Sequence, residues 1–153
     1  MTKNLGESGH SEGAARGPKS LRVLLADDDQ DSTLMLMMLL REEGDEVRAV
    51  YSGSKVMGAV LDFDPDAVIL DIEMPGLSGW EAARKIRARF GTDRPLVIGL
   101  SGEYKQGSDR ILSRILGFNH YLLKPYDFSD LLRLLAPLRY PDADEDRLQS
   151  SGS

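Results

Sequence analysis

The chain contains no cysteine. That excludes a disulfide framework and any thiolate metal site, and it permits a reducing compartment. Long hydrophobic runs are missing too. The longest, Leu34 to Leu40, falls far short of the roughly 20 apolar residues that span a bilayer. The N-terminal stretch "MTKNLGESGHSEGAARGPKS" has no apolar core of the kind a secretory signal carries, so a cytoplasmic location without membrane insertion is expected. Basic residues are in deficit: 19 Lys and Arg face 25 Asp and Glu, giving a net charge of -6 and a pI near 4.9. Such a balance argues against a phosphate-backbone footprint and hence against direct nucleic-acid binding. What remains is a chain of 153 residues, 41% hydrophobic, enough for one sizeable core.

Residues 1–19 are rich in Gly, Ser and charge, and bury too little apolar surface to offset ordering entropy. They read as a disordered tail. Residues 20–140 carry the folded pattern, and 141–153 ("DADEDRLQSSGS" at its end) read as a second, acidic tail that leaves no room for an output domain. Within the folded part, short apolar runs of strand length occur at "LRVLLA" (21–26), Glu46–Val50, Ala67–Leu70, Leu96–Leu100 and His120–Leu123. Between and after them lie helical patterns at about Asp31–Glu43, Ser54–Leu61, Gly79–Arg89, Ser108–Leu116 and Phe128–Leu135. Gly44 and Gly117 close helices, Ser52 or Ser54 caps the second, "SGWE" (78–81) forms a capping box, and Asp127 with Asp130 opens the last. Strands that are apolar throughout are buried on both faces. Five βα units in alternation therefore predict an α/β, doubly wound five-stranded parallel sheet.

In such a sheet the C-terminal strand ends share one edge, where ligands bind. The first strand brings Asp27 and Asp28 there, within "LLADDDQD"; the third brings Asp71, the fourth Ser101 and the fifth Lys124. Each alone has a bland reading as a solvated turn, a cap or a snorkelling lysine. Together they converge. Crowded carboxylates repel, raising at least one pKa unless a cation is present. With only oxygen donors on offer the matching ion is hard: Mg²⁺, with Mn²⁺ able to substitute. Mg²⁺ accepts one or two carboxylates plus phosphate, which predicts a phosphate-handling site.

The motifs "LLADDD", "VILDIEMPGLSGWE", "VIGLSG" and "HYLLKP", in this order and spacing, make residues 21 to about 138 resemble the receiver domain of two-component response regulators, of the chemotaxis-regulator-like single-domain type. The resemblance implies a flavodoxin-like sheet of order 2-1-3-4-5 and a Mg²⁺-dependent phosphoryl transfer from a phosphohistidine to Asp71. It implies that Asp28, Asp71 and the Glu73 main-chain carbonyl ligate the metal, that Asp27 holds it through water, and that Asp29 stays solvated. Lys124, preceding a cis Pro125, neutralises the phosphoryl group; Ser101 and Tyr121 switch in response. Glu73 and Glu103 flank the site where the family tunes phosphoryl loss. No enzymatic activity is implied beyond the domain's own aspartyl phosphorylation and dephosphorylation.

The implied partners are a histidine kinase, with a hybrid kinase hinted by "GFNHYLLKP" and "VIGLSG", or a histidine phosphotransfer protein, and an unidentified downstream protein; a homodimer through the last two helices is open. A phosphate sink or a phosphorylation-independent interaction module is the alternative within the fold. A haloacid-dehalogenase-like phosphatase is a remote one, because that motif wants Asp where Glu73 stands and a nucleophile after the first strand. The run "LMLMMLL" (34–40) is apolar around more than one face. Packing against the core and neighbours is the expected reason, and a docking surface of adaptable Met side chains the alternative.

Overall fold

A computed structural model describes residues 17–102 and 117–142. Its elements are β1 (Arg22–Ala26), α1 (Gln30–Glu42), β2 (Glu46–Val50), a 3₁₀ turn (Gly53–Lys55), α2 (Val56–Phe63), β3 (Ala67–Asp71), α3 (Gly79–Phe90), β4 (Leu96–Ser101), β5 (His120–Leu123) and α4 (Phe128–Arg139). The strands pair in parallel in the order β2-β1-β3-β4-β5. The helix expected at Ser108–Leu116, Glu103 and most of both expected tails lie outside the described residues. Among the described residues no helix is long and apolar enough to cross a membrane.

Alternation along the strands sorts the core into two layers, because successive side chains point to opposite faces. Leu24, Val68, Leu70 and Val97 pack with Val60 and Phe63 of α2 and Ala83 and Ile86 of α3. On the other face Val23, Leu25, Ile69 and Ile98 meet Leu36 and Leu40 of α1 and Leu131 and Leu135 of α4. The central strand β3 is buried along its whole length, Asp71 included.

Local chemistry sets the helix ends, with three departures from expectation. Helix α2 starts at Val56 with Lys55 as a cap that offers no side-chain bond, and Ser52 instead precedes the 3₁₀ turn, its hydroxyl 3.2 Å from that of Ser54. The extra turn puts both serines too early to cap the α-helix. Helix α4 continues through Pro137 to Arg139, although proline removes a helical donor. A tertiary contact carries it on: the Arg139 guanidinium forms bidentate bonds of 2.7 and 2.8 Å to Asp45, whose carboxylate also accepts the Leu21 N–H at 3.0 Å. At α3 the Ser78 hydroxyl accepts the Glu81 N–H (3.3 Å), but the Glu81 carboxylate lies 3.5 Å from that hydroxyl. Only the hydroxyl-to-amide half of the expected box is therefore recorded.

Candidate metal and phosphoryl site

Strands β1 and β3 are neighbours, so their C-terminal ends deliver Asp27, Asp28 and Asp71 to one place. One oxygen from each carboxylate lies within 4.8 Å of the others. Asp27 and Asp71 are buried, 7% and 5% exposed, and Asp28 faces solvent. The two buried acids are arranged alike. Asp27 Oδ1 accepts the Asp29 N–H at 2.9 Å, and Asp71 Oδ1 accepts the Glu73 N–H at 3.1 Å. Each then turns its Oδ2 toward Lys124 Nζ, 3.4 Å from both.

The electrostatics follow from this crowding. Burial chiefly, with repulsion from Asp27, pushes the Asp71 carboxyl up to about 6, while the Glu73 N–H works the other way. Repulsion was the cause expected from sequence; desolvation proves the larger one. Burial also draws the Lys124 ammonium down, but Asp27 and Asp71 outweigh it and the net shift is upward. Lys124 is therefore charged at neutral pH, and its ammonium, 3.4 Å from Asp27 and from Asp71, offsets only part of the charge of the three clustered carboxylates. An all-oxygen set short of positive charge fits a hard divalent cation. The carboxylates of Asp27, Asp28 and Asp71 are thus compatible with Mg²⁺.

The other expected residues are placed as follows. Ser101 ends β4, is 4% exposed, and its carbonyl accepts the Lys124 N–H at 2.7 Å. The Lys124–Pro125 peptide is cis. Tyr121 pairs with Gly99 and is half-buried against the layer that holds Phe118. The Glu73 side chain is exposed, and Glu103 lies outside the described residues.

Asp29 is exposed as expected, yet it has a task that the sequence reading missed. Its carboxylate caps α1, accepting from the Asp31 and Ser32 amides (3.2 and 3.3 Å) and the Ser32 hydroxyl (2.9 Å). The Ser32 hydroxyl chiefly, with these amides, holds its pKa below the usual carboxylate range. The signal available was an Asp three residues before a Ser at a helix start. Gly79 does more than start a helix. A methyl there would stand 2.5 Å from the Asp71 carbonyl oxygen, so glycine is what lets α3 begin directly against the end of β3.

Residues 23–136 match the response regulator receiver domain family. Among solved structures, the receiver domain of the sensor histidine kinase PA1611 from Pseudomonas aeruginosa, with a magnesium ion coordinated in its active-site cleft, is 31% identical. The match covers 76% of this chain and 95% of that one, with a TM-score of 0.67. A putative response regulator from Chloroflexus aurantiacus is 30% identical, with coverage of 76% and 95% and a TM-score of 0.69. The chemotaxis protein CheY4 of Vibrio cholerae shares the fold at 23% identity, covering 76% and 97%, with a TM-score of 0.70. The chain belongs to the response regulator receiver domain family, a class of signalling modules in two-component systems. The phosphatase alternative is thereby set aside, and Asp71 ends the third strand rather than the first.

Proposed function

We propose that the protein is a response regulator receiver that accepts a phosphoryl group on Asp71 and changes its protein-binding surface as a result. The observation that carries this reading is the convergence of Asp27, Asp28, Asp71 and Lys124 at one sheet edge, with the ammonium shared by two buried acids. Asp27, Asp28, Asp71 and the Glu73 carbonyl would hold Mg²⁺, which when bound neutralises charge on the phosphoryl oxygens. A carboxylate is a weak nucleophile, so positioning and charge supply most of the catalysis. An Asp71 oxygen attacks phosphorus, the P–N bond of the donor phosphoimidazole breaks, and the freed imidazole takes a proton from water. Lys124 offsets charge on the transferred group. The Ser101 hydroxyl then donates to a phosphoryl oxygen, and Tyr121 moves from half-buried to buried, a two-state element biased by a charge-assisted bond. Glu73 and Glu103 are the side chains through which loss of the phosphoryl group is tuned.

Incubation with a small-molecule phosphodonor, followed by peptide mapping, tests this. One phosphoryl group on Asp71, dependent on Mg²⁺, is the expected result. Asp28→Ala should weaken Mg²⁺ binding at least about tenfold and slow uptake, since even loss of a partner that only supports a metal ligand costs roughly 10- to 100-fold. Labelling at another residue, or at an unchanged rate without divalent ions, would count against the reading.

The partner is a histidine kinase or a histidine phosphotransfer protein. Similarity to a receiver that belongs to a sensor histidine kinase favours a hybrid-kinase donor. Helix α1 begins beside the acidic cluster, and its "LMLMMLL" run packs on the core only in part, through Leu36, Met37 and Leu40. Leu34, Met35 and Met38 are 55%, 66% and 57% exposed, while Leu36 and Leu40 are buried. A donor helix bundle that brings a phosphohistidine to Asp71 would meet this face. Met35→Lys with Met38→Lys should slow transfer from the protein donor at least about tenfold, the loss of roughly 1.4 kcal/mol at an interface. Labelling by the small donor should stay as before. Equal slowing of both donors would place the defect in the site instead.

A further inference from the structure

Gly53 lies in the turn between β2 and α2, with its backbone pressed on the loop that leaves Asp71. A methyl group on its Cα would stand 1.5 Å from the Leu77 carbonyl oxygen and 2.5 Å from the carbonyl carbon. Both are main-chain atoms, so no side-chain rotation relieves the overlap. Gly53 is buried, and its φ lies outside the left-handed region. Contact alone therefore excludes a side chain.

The pressed loop, residues 72–78, is held at its other end by three features. The Ile72 N–H donates to the Leu100 carbonyl (2.8 Å), the Gly79 N–H donates to the Ile72 carbonyl (3.0 Å), and the Glu73 N–H donates to Asp71 Oδ1 (3.1 Å). Leu77 packs on the core layer beneath. The loop is thus confined between the β2–α2 turn and the end of β3, and its course sets where the Glu73 main chain lies.

We infer that Gly53 is a positioning residue for the cation site: by letting its turn close on Leu77 it fixes the 72–78 loop, and through it the Glu73 main chain beside Asp71. The inference rests on the proposed function, since it assumes that Glu73 contributes to holding Mg²⁺. Glycine at 53 touches neither the acids nor the metal and acts only through the loop.

Gly58 provides an internal control. It is exposed within α2 and a methyl there meets nothing within 4 Å, so Gly58→Ala should raise the melting temperature through helix propensity alone. The full chain is compared as wild type, Gly58→Ala and Gly53→Ala/Gly58→Ala. Melting is measured in chelator, and Mg²⁺ affinity by calorimetry with the metal alone. The double variant should bind Mg²⁺ roughly tenfold more weakly than wild type, as when a supporting contact of a metal site is lost, with the helix substitution returning part of the lost stability. Gly58→Ala alone should bind as wild type does. A folded double variant with wild-type affinity would overturn the inference. If the double variant does not fold, Leu77→Gly removes the loop's side-chain anchor in the core, with Gly53 intact, and tests whether the course of the loop sets the cation site. Weaker Mg²⁺ binding there supports the inference, and wild-type binding overturns it. Absence of Mg²⁺ binding by the wild type would instead remove the functional reading on which the inference rests.

Discussion

Asp71→Asn is expected to abolish phosphoryl uptake and, in metal-free solution near neutral pH, to leave the folded protein more stable than wild type. The first effect follows from removing the nucleophile. The second follows from the carboxyl's position among like charges in a buried site. In the folded, metal-free domain the Asp71 pKa is pushed up to about 6 from an ordinary 3.8. Between those values the folded state holds a proton that the unfolded chain has released. The stabilising contribution is fully present below about pH 4 and is lost as pH rises through 6. Two pKa units correspond to nearly 3 kcal/mol, and access of water to the site reduces this to about 1–2 kcal/mol. Urea unfolding in chelator should show wild type losing stability across that window while Asp71→Asn does not share the loss. Added Mg²⁺ stabilises wild type by mass action and narrows the gap. A wild type that gains stability across pH 4 to 6 to the same extent as the variant would contradict the assignment.

The second large effect lies at the opposite edge of the sheet. Asp45→Ala should cost about 3–5 kcal/mol, the range for breaking a buried ion pair. The Asp45 side chain is 0% exposed and that of Arg139 4%. Asp45 raises the Arg139 pKa through their hydrogen bond, more than burial lowers it. Alanine would leave a guanidinium without its counter-ion and orphan the Leu21 N–H. Against a typical net stability of about 5–15 kcal/mol, that loss is severe. Replacing both partners, as Asp45→Leu with Arg139→Met, should recover much of it, because neither charge then remains buried. Chemical denaturation of the single and double variants measures the difference. A double variant as unstable as Asp45→Ala would show that the pair acts by something other than mutual neutralisation.

The acidic pocket was legible because its parts carry local signals. Asp71 interrupts an apolar stretch between "AVIL" and "IEMPG", and Lys124 follows directly on "HYLL". The runs at Glu46–Val50 and His120–Leu123 match their strands residue for residue, because turn residues bound them. What was not legible depends on contacts made elsewhere. Asp45 and Arg139 are 94 residues apart, and no local pattern pairs them or carries α4 past Pro137. Asp29 was read with its neighbours as one acidic run, although only its position at the start of α1 makes it a cap. In "LMLMMLL" no polar residue marks the outer face, so the exposure of Met35 and Met38 could be seen only in the fold. Gly53 gave no signal, because its constraint is the backbone of a loop beyond the next strand.

Trp80 stands at the start of α3, half-buried with its ring edge-to-face with Phe118, centroids 5.3 Å apart, and so lies close in sequence to Asp71. Titrating Mg²⁺ while following its fluorescence tests the central claim most directly, first alone and then with beryllofluoride as a phosphoryl mimic. A saturable one-to-one response to Mg²⁺ is predicted, strengthened by the mimic and lost in the Asp28→Ala/Asp71→Asn variant. Confirmed absence of Mg²⁺ binding by the folded wild type, or wild-type affinity in that variant, would contradict the account.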